Sequence, residues 1–73
     1  ATVTLDANAA STTFNDPRLG AGTVIVPMPL TATAGASLAS GDWYIDGRAK
    51  GTCTIHHDNT ADIDKTFDLI LIG

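Results

Sequence analysis

The closing segment, Phe67-Asp68-Leu69-Ile70-Leu71-Ile72-Gly73, starts as an alternation and ends as an apolar run. A strand with one wet face alternates apolar and polar residues. Phe67 and Asp68 follow that rule, but Leu69 to Ile72 are apolar at every position. Both faces of this strand therefore favour leaving water. Phe67, Leu69 and Leu71 are expected to face the chain's own core. Ile70 and Ile72 are expected to meet another protein chain, because a body of 73 residues has too little mass to cover both faces of many strands.

The rest of the pattern reads as short strands separated by turns. Thr2-Val3-Thr4-Leu5 alternates and predicts a first strand, with Val3 and Leu5 in the core. Asp6 to Ala10 reads as a turn, and Ser11 to Phe14 as a second short strand. Asn15-Asp16-Pro17-Arg18-Leu19-Gly20 is a strong turn signal, since Pro17 presets φ and Asn15 and Asp16 bond to nearby backbone. Thr23 to Met28 is the second strongly apolar run. In it Val24 and Val26 face one way and Ile25 the other, and all three are candidates for a contact between copies. Pro27 and Pro29 cannot donate to a ladder, so this strand ends near Val26 or lies at a sheet edge. Thr33 is the expected N-cap of a short helix over 34–39, closed by Gly41. Trp43-Tyr44-Ile45-Asp46 opens another strand, with Trp43 and Ile45 inward and Tyr44 outward. It turns either at Asp46-Gly47 or further on at Lys50-Gly51. Thr52 to His57 alternates, with Cys53 and Ile55 on the core face, and Asp58 to Lys65 is a polar loop. These elements predict one all-β domain over residues 1–73: a small antiparallel sandwich or barrel of five to seven strands with one short helix.

Composition supports strands over helices. Thr and Ala each occur eleven times, all eight acidic residues are Asp, and there is neither Glu nor Gln. The straight-chain helix formers are thus nearly absent, while Thr suits strands and Asp suits turns. A chain this short buries only about 60% of the surface it exposes when unfolded, so its stability is marginal. Cys53 is the only cysteine, which rules out an internal disulfide and favours a buried thiol. Oligomerisation is the remaining way to add burial. A net charge of −4 argues against nucleic acid and against anionic membranes as partners. No run approaches the ~20 apolar residues that a membrane-spanning helix needs.

Residues with chemical potential form no reactive constellation. His56 and His57 are neighbours on a strand and point to opposite faces, so they do not share one ion. Asp58, Asp62 and Asp64 crowd one loop, but their spacing departs from an EF-hand. They are expected to form an acidic solvated loop in which Asp64 pairs with Lys65 or caps a turn. Ser11, Ser37 and Ser40 lie in no nucleophile motif, and Asp46-Gly47-Arg48 is a turn. The sequence therefore predicts no catalytic residue, no metal and no cofactor. Tyr44, an amphipathic ring on an outer face, suits an interface or a sugar.

The order of motifs resembles a known group. Asn15-Asp16-Pro17-Arg18-Leu19-Gly20 leads through Thr23-Val24-Ile25 to Pro29-Leu30-Thr31-Ala32 and an Ala-rich turn. Gly51-Thr52-Cys53-Thr54-Ile55, His57-Asp58-Asn59, Asp64-Lys65-Thr66-Phe67 and Gly73 follow. This is similar to a small β domain of tailed-bacteriophage and prophage virion proteins, often found at the C-terminal end of tail-fibre or tail-tip chains. The resemblance covers about residues 12–73. It implies a non-enzymatic virion component that associates with itself, as a trimer or another ring, and with other virion proteins. No long shaft precedes the domain in this sequence, so the expectation leans to a capsid decoration or tail accessory protein. The alternative is a module that binds a host-surface glycan through Tyr44 and the Asp58–Asp64 loop.

Overall fold

In the computed structural model, which describes all 73 residues, the chain folds into six strands and one helix. They are β1 (Thr2–Thr4), β2 (Ser11–Asn15), β3 (Val24–Pro29), α1 (Ala32–Ala39), β4 (Tyr44–Ala49), β5 (Thr52–His56) and β6 (Thr66–Ile72). They form two three-stranded antiparallel sheets, ordered β1-β6-β3 and β2-β5-β4. The fold is thus the small antiparallel sandwich with one short helix that the sequence predicts. The closing strand β6 is the middle strand of the first sheet, with Val24, Val26 and Met28 opposite Ile72, Ile70 and Asp68.

The core lies between the sheets. Phe67 and Leu69 come from the first sheet, Phe14, Cys53 and Ile55 from the second, and Ala34 from α1. Leu5 and Leu19, from the segments flanking β1 and following β2, complete it. Val3, Trp43, Ile45 and Leu71 are half-buried and pack against this cluster. The Trp43 and Phe67 rings meet at 4.9 Å in a tilted arrangement, an efficient way to fill space with few aromatics. Burial pushes the Cys53 thiol above its ordinary pKa, so it behaves as a small apolar side chain.

One local feature differs from the expectations, and two decide between alternatives that the sequence leaves open. The helix starts two residues earlier than Thr33 implies. Thr31 is the N-cap: its backbone is extended, and its hydroxyl accepts from the Ala34 N–H at 3.0 Å and donates to the Asp64 carbonyl at 2.7 Å. Thr31 wins because it alone serves both the helix end and the neighbouring loop. The β3 strand does not stop at Val26 but runs through both prolines as an edge strand. The β4–β5 hairpin turns at Lys50-Gly51, while Gly47, at φ +61°, sits at a register shift between Asp46 and Ala49. That shift is a bulge, a common way to interrupt an edge strand.

The prolines sit where they do least harm to the ladder. Leu30 N–H donates to the Thr66 carbonyl at 2.9 Å. By alternation, Val24, Val26 and Met28 also turn their N–H groups toward β6, whereas Ile25, Pro27 and Pro29 turn theirs to the open edge. Two of those three positions have no N–H to offer. The outer edge of β3 is therefore closed to pairing with another strand.

Candidate functional site

Alternation along β3 and β6 builds an apolar surface on the outside of the first sheet. Val24, Val26, Met28, Ile70 and Ile72 are each between 41% and 56% exposed, and the register places the three β3 residues beside β6. Their neighbours of opposite parity, Ile25, Leu69 and Leu71, turn inward. Its charges lie at the margins: Asp68, which the N-terminal ammonium meets at 3.5 Å, and Arg48 beside Val24. Thr2 and Thr4 of β1 continue the face as polar residues, and the hydroxyls of Thr4 and Thr66 lie 3.0 Å apart. Apolar side chains so grouped form a patch of the kind that often serves as a contact surface.

The sequence-based set of contact residues is divided by the structure. Val24, Val26, Ile70 and Ile72 share this face. Ile25 does not: the two-residue period turns it to the core side, where it is half-buried and packs against the buried cluster. Tyr44 lies on the other sheet. It is 58% exposed, and its ring stacks on His56 at 4.2 Å with 5° between the planes. His56 Nε2 lies 2.9 Å from Asp46 Oδ1. Around this pair the outer face of the second sheet is polar, with Ser11 and Thr13 of β2 beside His56 and Thr54 of β5. Met28 extends the apolar face and was legible from its parity with Val24 and Val26. Leu30, also exposed, continues the parity of Met28 just past the end of β3, whereas Ile63 lies in a loop and has no periodic signal.

Asp58–Lys65 is not simply a solvated loop. Lys65 is fully buried, and its partner is Asp58 rather than Asp64: Nζ donates to the Asp58 carbonyl at 3.0 Å and lies 3.6 Å from Oδ1. Ser37, buried in α1, donates to the same Oδ1 at 2.5 Å. This hydrogen bond, with help from the Lys65 charge, holds the Asp58 carboxyl below its ordinary pKa. His57 is buried in a chain of bonds of its own. Its Nδ1 lies 2.8 Å from the Asp58 carbonyl, which only accepts, so Nδ1 carries the proton. Thr12 then donates to Nε2 at 2.8 Å while accepting from the Asp6 N–H at 2.8 Å. Asp62 Oδ2 accepts from Thr60, and Asp64 Oδ2 from Thr33. The three loop carboxylates thus each serve a different neighbour: Asp58 and Asp64 pin the loop to α1, and Asp62 braces the loop internally through Thr60.

The turn after β2 is held similarly. Arg18 donates to both oxygens of Asp16, from Nε at 3.0 Å and Nη2 at 2.9 Å, and its backbone N–H adds a third bond at 2.9 Å. These bonds lower the Asp16 pKa from 3.8 to about 2. Asp16, Pro17, Arg18 and Gly20 form a rigid corner, with the Leu19 carbonyl accepting from the Gly51 N–H at 2.9 Å. Comparison of the chain with protein-family models, curated proteins and solved structures finds no match.

Proposed function

We propose that this chain is a non-enzymatic structural component of a bacteriophage virion, a capsid decoration or tail part, that works by packing against further copies of itself. The observation that carries the self-packing is the outer face of the first sheet, with Val24, Val26, Met28, Ile70 and Ile72 half-exposed on one surface. Together they present roughly 400 Å² of apolar side chain, the scale of the largest patch on a typical monomer. A standard interface takes ~800 Å² per partner, so the patch supplies its apolar centre and the flanking threonines its rim. A second copy suits the face because the face brings almost no charge, whereas most of the chain's acids lie on loops and on the other sheet. The proline-closed edge directs association to the face and away from ladder extension. The virion setting rests on the resemblance of the ordered motifs described above.

The test is the mass of the intact protein in solution by size-exclusion chromatography with light scattering. Self-packing predicts a single species of several copies, and Ile70→Asp converts it to a folded monomer with the same circular dichroism. A wild-type chain that runs as a monomer at millimolar concentration removes the reading.

A second reading, a module for a host-surface glycan, has the Tyr44–His56 stack in its favour, since an exposed ring beside Asp46 on a polar face suits a sugar. Of the loop half of that expected site, Asp58 is drawn inward by Ser37 and Lys65, while Asp62 and Asp64 stay exposed. A glycan array probed with wild type and Tyr44→Ala decides it: binding that is lost in the variant supports the module.

A further inference from the structure

Two features at opposite ends of the first sheet complement each other. At one end, Val24, Ile25, Ile45 and Arg48 line an open cleft of about 220 Å³ between β3 and β4. Its walls are aliphatic and its one charge is Arg48. The guanidinium is fixed there by donating from Nη1 to the Thr23 carbonyl at 2.7 Å, which uses one of its five N–H donors. At the other end, Ile63 is 82% exposed, more than any other large apolar side chain of the protein. It stands between Asp62 and Asp64. Each of these carboxylates has one oxygen tied to a threonine hydroxyl, at 2.9 Å and 3.3 Å, so the loop is braced while both residues stay exposed.

The chain cannot join these features within one molecule. Ile63 precedes the first residue of β6, whereas the cleft lies beside Val24, which pairs with Ile72 at the last. The strand between them spans ~20 Å at the usual rise per residue. An aliphatic knob flanked by acids and an aliphatic hole carrying a cation match in shape and in charge.

We propose that Ile63 of one copy enters the Val24–Ile25–Ile45–Arg48 cleft of the next copy, with Asp62 and Asp64 facing Arg48. The inference rests on the self-packing proposed above and specifies its geometry. Knob and hole occupy different surfaces, so the contact is either reciprocated across a two-fold axis or repeated head to tail, which closes a ring or runs on as a filament. A closed assembly, whether a two-fold pair or a larger ring, can bury both the knob and the sheet face.

Cysteine pairing in the full chain tests the geometry, since Cys53 is buried and takes no part. Val24→Cys and Ile63→Cys are prepared separately and together, oxidised, and separated without reductant. The double variant is expected to link covalently, into dimers for a two-fold pair and into species of three or more copies for a ring or filament, while each single variant stays unlinked. A covalent dimer from Ile63→Cys alone, or no linkage in the double variant, overturns the proposal. In the same preparations, Ile63→Asp is expected to weaken assembly about tenfold or more, the scale of losing one buried aliphatic side chain. Its melting as a monomer should be unchanged, because Ile63 is exposed. Arg48→Asp should weaken assembly too, and Asp62→Arg added to it should restore part of the loss. If Ile70→Asp dissolves the assembly while Ile63→Asp leaves it intact, the cleft contact is wrong and packing through the sheet face stands. If the wild type is monomeric, both fall.

Discussion

Lys65 is the residue on which the loop depends. An ammonium group with no exposed surface must be paired, and its partners are both on Asp58. The two ends of this pair are unequal. Asp58 keeps Ser37 and partial contact with water, whereas Lys65 has no second carboxylate. Removing the acid leaves the buried ammonium with a backbone carbonyl but no counter-charge, while removing the lysine leaves an anion that is still solvated. Asp58→Ala is therefore expected to cost about 3 kcal/mol or more in chemical denaturation, and Lys65→Met distinctly less. Acid adds a second test. The folded-state pKa values of Asp16 and Asp58 lie below their ordinary values, through Arg18 and Ser37 respectively. Their contribution to stability is therefore complete above the unfolded-state value near 3.8 and is lost as pH falls through the folded value, about 2 for Asp16. Unfolding midpoints should decline between pH 4 and pH 2, and Asp16→Asn should flatten that decline.

At the scale of elements, β3 shows how prolines define an edge. Pro27→Val and Pro29→Val should each restore an outward N–H, so the variants fold but extend into aggregates seen by light scattering and thioflavin fluorescence. Unchanged solubility of the double variant would show that the edge is protected some other way. The strands were legible from period-two alternation in Thr52–Ile55 and Phe67–Leu69 and from the apolar run Val24–Val26, whose lack of polar positions hid that Ile25 faces inward. The division of β6 into Phe67, Leu69 and Leu71 inside and Ile70 and Ile72 outside was legible from the parity that Phe67 and Asp68 set. Hidden were the features that depend on partners distant in sequence. Thr31 and Thr33 are equivalent as N-caps until the Asp64 carbonyl selects Thr31. Asp64 and Lys65 are adjacent, yet a lysine directed inward finds Asp58 instead. Tyr44 alternates outward as expected, but only the sheet order shows that its outside is not the outside of β3. The cleft was invisible because Val24 and Ile45 lie in different sheets and Arg48 had been assigned to a turn.

The whole molecule, 30 × 19 × 19 Å, has two unlike broad surfaces: one aliphatic, one hydroxylated with an aromatic pair. A body so small gains little from its own interior, so association and stability should be linked. The melting temperature is expected to rise with protein concentration for the wild type and to be independent of it for Ile70→Asp. A concentration-independent wild-type melt would break that link. The interior also supplies the means to follow it. Trp43 is the only tryptophan, its ring rests on Phe67, and its indole N–H is buried without an acceptor. An indole held dry and unbonded emits toward the blue and shifts red on hydration, so the protein carries an intrinsic optical reporter of whether its two sheets remain together.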